Sequence, residues 1–316
     1  MKILITGSSG FIGFHLSNFL LKKGYKIIGI DNHNNYYSQK IKKKRLLFLN
    51  KYKNFQYLKV DIVNLKKLET SFKLHLPDIV FHLAGQPGVL YSLKNPKIYK
   101  LNNSIATNNI CKISKKYKVK NFIFASSSSI YGDQKKFPIK ENSIPNPKNP
   151  YAKTKLVSEK IVKKNFYKTN TSYLIFRFFT VYGPFGRPDM FIHKFLNSLK
   201  NNKPIKLFNR GLNFRDFTYV EDVVKILYFS IKKNLNKKTL NICRSRPIKT
   251  IDLVNILKRT FSNKKLKIQM TNFVKGEMLK THGCNKKLKK NLKNIKFTDF
   301  KIGIKKTVNA YKKFGI

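Results

Sequence analysis

Short apolar runs alternate with helix-periodic stretches through the first half of the chain. Ile3 to Thr6 is followed by a pattern that puts Leu16, Phe19 and Leu20 on one side, and then by the run Lys26 to Ile30. This rhythm predicts parallel strands joined by crossover helices. Further runs at Ile79 to Leu83, Asn121 to Ala125 and Tyr173 to Phe178 are apolar at nearly every position, as strands covered on both faces must be. The expected class is α/β with a doubly wound parallel sheet. Beyond Thr180 the pattern turns irregular around Gly183, Pro184, Gly186 and Pro188, so the chain should leave the sheet there and build a smaller lobe. A helical pattern over Tyr219 to Lys232 and the run Leu240 to Cys243 predict a return to the sheet. The larger unit is thus expected over 1–178 with 217–243, and the smaller C-terminal lobe over 179–216 with 244–316. No internal repeat or long low-complexity segment is present.

A chain of 316 residues, 41 % hydrophobic, can bury a full core. Its charge alters the picture more. Lys and Arg number 67 against 14 acids, a formal +53, which raises the question of nucleic acid or an anionic membrane. The lysines are spread over the whole chain, however, and the runs Lys42 to Arg45 and Lys286 to Lys290 fall on surface-helix patterns, where they read as solvated faces. The expectation is no nucleic acid and no membrane, with a field that attracts small polyanions. Lys or Asn breaks every apolar run short of the roughly 18 residues a membrane helix needs, and nothing before the first strand resembles a signal peptide. A cytoplasmic protein is expected. Cys111, Cys243 and Cys284 lack metal-ligand or redox spacing, so no metal site is expected.

Candidate chemistry begins in Ile5-Thr6-Gly7-Ser8-Ser9-Gly10-Phe11-Ile12-Gly13, where three glycines at three-residue spacing join a strand to a helix. Gly7 suits a tight turn, Gly10 a close approach of backbone to a pyrophosphate, and Gly13 close helix-to-strand packing, with the phosphate on the helix N-terminus. Asp31 ends the next strand at the spacing a dinucleotide ribose requires, and its carboxylate favours NAD over NADP. The sheet is therefore expected to be of Rossmann type, with NAD as cofactor. Asp61, after Val60, stands either beside the adenine or as a plain helix cap.

Tyr151 and Lys155 lie four apart behind Asn149-Pro150, a capped helix start, so both side chains face one way. A free tyrosine titrates near pH 10, but a neighbouring ammonium and an oxidised nicotinamide favour its phenolate and make it usable as a base. Ser126 to Ser129 put four hydroxyls at the carboxyl end of a buried strand, where doubly wound sheets hold their ligands.

The glycine loop, serine cluster and Tyr-x-x-x-Lys pair together resemble the extended short-chain dehydrogenase/reductase family. Within it, Gly10-Phe11-Ile12-Gly13-Phe14-His15, Asp31-Asn32, Ala125 to Gly132, and above all the run Arg177 to Met190 resemble the UDP-glucuronate 4-epimerases. The resemblance implies Tyr151, Lys155 and Ser127 as the catalytic group, acting through a 4-keto sugar. It places NAD against Gly7, Gly10, Phe11, Ile12, Gly13, Asp31, Asn32, Asp61, Ile62, Leu83, Ala84, Gln86, Asn103, Ser126, Tyr151, Lys155 and Phe178. It gives the UDP-sugar to Ser127, Ser128, Ser129, Thr180, Arg187 and Arg215, the serines and Thr180 at the carboxylate and the arginines at the nucleotide end; Arg215 lies in the motif Arg215-Asp216-Phe217-Thr218-Tyr219. The smaller lobe becomes a substrate-binding lobe, and helices near Asn102 to Lys118 and Tyr151 to Phe166 the seat of a homodimer. Related dehydratases and decarboxylases carry acids where Ser128 and Ser129 stand, so elimination lacks its acid and base here. Two departures are visible: Leu90 replaces the family's arginine in Gly88-Val89-Leu90-Tyr91-Ser92, and Gly85 stands where Ala is common. Epimerisation of UDP-glucose or UDP-N-acetylglucosamine, or NAD binding without catalysis, are the competing expectations.

Overall fold

The computed structural model, which describes residues 1–233, 235–260, 267–273 and 276–315, begins with the predicted alternation. β1 (Lys2–Thr6), α1 (Phe11–Lys22), β2 (Lys26–Ile30), α2 (Gln39–Leu49), β3 (Phe55–Leu58), α3 (Leu65–His75) and β4 (Ile79–His82) follow one another. Two short helices, α4 (Val89–Lys94) and α5 (Pro96–Tyr99), and a π-helical stretch over Lys100–Ile105 lead into α6 (Ala106–Lys116), β5 (Asn121–Ser127), α7 (Pro150–Phe166) and β6 (Ser172–Phe178). After these come β7 (Thr180–Tyr182), α8 (Phe191–Lys200), β8 (Ile205–Leu207), β9 (Phe214–Arg215), β10 (Phe217–Tyr219), α9 (Val220–Lys232) and β11 (Lys238–Ile242). The chain continues with β12 (Ile248–Lys249), α10 (Thr250–Thr260), β13 (Ile268–Met270), α11 (Lys286–Asn291) and α12 (Phe300–Phe314).

Seven parallel strands form the main sheet in the order β11-β6-β5-β4-β1-β2-β3. The chain winds outward from β1 to β3, crosses back to β4 and winds the other way. The switch point between β1 and β4 is where open α/β sheets leave a crevice for ligands. Successive residues of a strand serve opposite faces: Ile3 and Ile5 pack with Leu16 and Leu20 of α1 and Val223 and Leu227 of α9. Leu4 packs with Leu68 and Phe72 of α3, Ile110 of α6 and Val162 of α7. Each such side chain, fully buried, contributes about 1.5–3 kcal/mol. β5 runs past its apolar stretch because Ser126 and Ser127 still pair with Arg177 and Phe178 of β6.

A separate core joins Phe195 and Leu196 of α8, Leu253 and Leu257 of α10, Ile304 of α12 and Tyr219 of β10. β7 pairs in parallel with β10, and the chain passes between the two cores there: Val181 belongs to the first and Tyr182 to the second. The 244–316 stretch does not go wholly to the smaller core. Leu288 of α11 and Leu292 after it are buried in the first, and the Phe314 ring packs against Phe48 and Phe185.

Reading Lys42 to Arg45 as a solvated face holds for Lys43 and Lys44, which are exposed, and is overturned for Lys42 and Arg45. The buried residues of α2 are Ile41, Lys42, Arg45 and Leu49, one stripe of the helix, so two cations share its inward side with two aliphatics. In the Lys286 to Lys290 run, by contrast, only Leu288 turns inward. Among the described residues no helix is long and apolar enough to cross a membrane, and Cys111, Cys243 and Cys284 are buried and free.

Candidate active site

The carboxyl ends of the central strands and the smaller lobe enclose a cleft of about 1090 Å³. Gly7, Gly10, Phe11, Ile12 and Gly13 line it. Gly7 has a φ of +72°, and a Cβ there would lie 3.0 Å from the Ala84 backbone. One on Gly13 would stand 2.0 Å from the Gly7 carbonyl oxygen. Only glycines let strand, loop and helix close this tightly. Gly10 stands at the N-cap of α1 and no side chain caps the helix, which leaves its N-terminal amides and the positive end of its dipole for an anion. This cradle fits the pyrophosphate of a dinucleotide.

Asp31 also lines the cleft. Its Oδ2 accepts from the Ser9 amide at 3.2 Å and its Oδ1 from the His33 amide at 2.8 Å, and each oxygen keeps a lone pair for a ribose hydroxyl. Asn32 donates to Asp61 Oδ2 at 3.0 Å. The cap alternative for Asp61 is settled: Asn64 caps α3 by accepting from the Lys67 amide, while Asp61 accepts from the Val63 amide in a turn and lines the cleft beside Ile62. Leu83, Ala84, Gln86, Ser126 and Phe178 are at the wall. Asn103 stands behind it. Its Oδ1 accepts from the Gln86 amide at 2.7 Å, and its amide donates to the Gln86 carbonyl and the Thr154 hydroxyl, so it supports the wall instead of forming it.

Tyr151 and Lys155 project from the first turns of α7, which Asn149 caps by accepting from the Ala152 amide at 2.9 Å. Lys155 is buried and donates to the Ala125 carbonyl at 2.9 Å. Gly85 leaves it room, since a Cβ there would lie 3.2 Å from Lys155 Nζ. Burial lowers the Lys155 pKa to about 8, and the Glu159 carboxylate opposes that fall. Burial raises the Tyr151 phenol, while a hydrogen bond from Ser127 and the charge of Arg187 pull it back down. Arg187 is thus a cation that acts on the phenol, while the Lys155 ammonium donates to the Ala125 carbonyl. Ser127 and Ser129 share a hydrogen bond at 2.7 Å, and Ser128, Ser129 and Thr180 line the same cleft. Behind the serines, Ser126 donates to Glu159 at 2.6 Å, and Arg177 grips the same carboxylate at 2.9 and 2.8 Å.

Arg187 forms a two-pronged pair with Asp189 at 3.0 and 2.5 Å and lies 5.9 Å over the Tyr36 ring, whose hydroxyl donates to Asp189 at 3.1 Å. Its charge also lowers the Tyr151 phenol. Arg215 pairs with Glu277 at 2.7 Å. Leu90 is at the cleft wall and carries no charge.

Sequence reasoning missed Asn34, Tyr36, Tyr37 and Lys42, all at the cleft, and Arg45 behind it. Lys42 donates to the Asn34 carbonyl and side-chain oxygen, both at 2.8 Å. The stripe Ile41, Arg45, Leu49 was a usable signal, since i, i+4, i+8 places the arginine on an apolar side.

The family model of the NAD dependent epimerase/dehydratase family matches residues 3–243. A UDP-glucuronate 4-epimerase of Thermodesulfobacterium geofontis is 36 % identical over 307 residues, covering 97 % of this chain and 94 % of its own. The crystal structure of a UDP-glucuronic acid 4-epimerase from Bacillus cereus, in complex with UDP-glucuronic acid and NAD, superposes with a TM-score of 0.93 at 31 % identity over 99 % of both chains. A UDP-glucose 4-epimerase from Thermotoga maritima, with UDP-glucose, gives a TM-score of 0.91 at 29 % identity over the whole of both chains. A glycine cradle at the switch point, a phenol and ammonium facing a hydroxyl cluster, and a family match over most of the length lead to one conclusion: this chain belongs to the NAD dependent epimerase/dehydratase family.

Proposed function

We propose that this protein interconverts UDP-glucuronate and UDP-galacturonate by NAD-dependent epimerisation at C4. The observation that carries the reading is the run Ser127, Ser128, Ser129 with Thr180 on the wall beside Tyr151. Hydroxyls there can hold a sugar carboxylate, and no acid stands where elimination needs one. Relatives and structural neighbours named for this reaction support it.

The cofactor is to be held by the glycine cradle, Asp31, Asn32, Asp61, the Leu83 to Gln86 wall, Ser126, Lys155 and Phe178. When bound, NAD supplies a hydride acceptor that later serves as donor. Tyr151 takes the proton of the C4 hydroxyl, and Ser127, hydrogen-bonded to that phenol, steadies the oxygen as it becomes a carbonyl. Lys155, anchored on the Ala125 carbonyl, would hold the ribose of the bound cofactor. The 4-keto sugar is a β-keto acid, prone to lose carbon dioxide when its carboxylate bond aligns with the carbonyl. Ser127, Ser128, Ser129 and Thr180 hold that carboxylate out of alignment while the sugar turns its other face. Tyr151 then returns the proton. Arg187 and Arg215 exchange their present partners, Asp189 and Glu277, for the diphosphate.

The same reading gives a cytoplasmic homodimer acting on a UDP-sugar and on no nucleic acid. Leu101 and Ile105 of the π-helical stretch and Val157 of α7, 42, 41 and 45 % exposed, offer apolar surface for a second copy. A neutral UDP-hexose is the second reading, favoured by the uncharged Leu90 at the wall. Proton NMR of the purified protein with UDP-glucuronate, UDP-glucose or UDP-N-acetylglucosamine, without added cofactor, decides between them. UDP-galacturonate should accumulate from UDP-glucuronate. UDP-xylose as sole product, or turnover confined to the neutral sugars, contradicts the proposal.

A further inference from the structure

We propose that Arg45 is a positioning residue that couples the dinucleotide half of the cleft to the sugar-nucleotide half, an inference that rests on the function read above. Its side chain is fully buried, and among the described residues no carboxylate pairs with it. All its hydrogen bonds go to uncharged oxygens: the Ser9 carbonyl at 2.9 Å, the Tyr37 hydroxyl at 2.8 Å, the Phe185 carbonyl at 3.1 and 2.6 Å, and the Gly186 carbonyl at 3.1 Å. A buried cation is normally matched by an anion. Here the chain supplies only oriented dipoles.

The two ends of this tie lie in different halves of the site. Ser9 is inside the glycine loop, its amide held by Asp31 and its hydroxyl sharing a hydrogen bond with His33 at 2.8 Å. Phe185 and Gly186 immediately precede Arg187, a cation that acts on Tyr151. Phe185 has a φ of +53°, a left-handed conformation that a phenylalanine holds only when its surroundings impose it. Arg45 imposes it with two hydrogen bonds to that one carbonyl. An anion bound at the glycine loop stabilises a guanidinium that lacks its own counter-charge, and the guanidinium in turn fixes the path of the chain into Arg187. Occupancy by dinucleotide and affinity for a nucleoside diphosphate are then linked, and the linkage is reciprocal.

Calorimetry with UDP as the probe tests this on the full chain, once stripped of nucleotide and once reloaded with NAD. The wild type should bind UDP at least about 5-fold more tightly with NAD present, within the usual range for coupled sites. In Arg45→Met that ratio should fall to near one while both ligands still bind. Arg45→Lys, which keeps the charge but loses the planar fork, should lie between. A ratio of one in the wild type, or the same ratio in wild type and Arg45→Met, overturns the proposal. If circular dichroism shows Arg45→Met unfolded, Tyr37→Phe serves in its place. It removes a single acceptor and should lower the ratio about 2-fold, and no change there also overturns the tie. A wild type that binds neither NAD nor UDP would instead defeat the proposed function, whatever Arg45 does.

Discussion

Burial holds the Tyr151 phenol above its ordinary value, so the free protein keeps it protonated at neutral pH, and Ser127 and Arg187 work against that. Removing the phenol should leave the cofactor cradle intact: Tyr151→Phe is expected to lose about 10²- to 10⁴-fold in kcat, with NAD still recovered from the denatured protein. Removing Arg187 acts through the pKa. Its charge lowers Tyr151, so in Arg187→Gln the phenol titrates higher and the acid limb of the kcat/KM profile moves to higher pH, while Arg187→Lys restores much of the wild-type position. Tyr151, Lys155 and Ser127 were legible in the sequence because helical spacing and the end of an apolar strand fix where they stand. Arg45 and Lys42 were not, because a chain with 67 cations hides a buried lysine or arginine among solvated ones. The role of Asn103 was missed for another reason: which side of a wall an amide occupies depends on Gln86, which is distant in sequence.

Among the elements, strands built on mostly apolar runs were easily read, and β1, β2, β4, β5, β6 and β11 fall on or within a residue or two of the predicted runs. The short pairs β7 with β10, β8 with β13 and β9 with β12 were not predicted, since two or three residues carry no period and their registers come from distant contacts. Asp216 shows how such a joint is held. Just before β10, its carboxylate accepts from the Ser245 and Gly283 amides at 3.1 Å, and burial raises its pKa to about 6. The folded chain therefore binds this proton more tightly than the unfolded chain, whose value is 3.8. That contribution to stability is full below pH 3.8 and is lost as pH rises to about 6. Asp216→Asn should remove it, so the difference between wild-type and variant unfolding free energies, measured by urea titration, should change across this window and level off above it.

For the whole molecule, the surplus of cations raises a question the sheet and lobe do not. Lys100, Lys112, Lys115 and Lys164 flank Ile105 on the surface proposed for dimerisation. Two copies meeting there bury Leu101, Ile105 and Val157 against like-charge repulsion, so the dimer should tighten as salt rises and screening increases. Ile105→Asp should sediment as a monomer where the wild type sediments as a dimer; equal sedimentation coefficients would remove this face from the assembly. The decisive step is hydride transfer at the reacting carbon. It is best tested with UDP-glucuronate deuterated at C4, incubated with the enzyme in ordinary water without added cofactor. UDP-galacturonate should keep its deuterium at C4, because the hydride removed is the hydride returned. A product carrying hydrogen at C4 would contradict it.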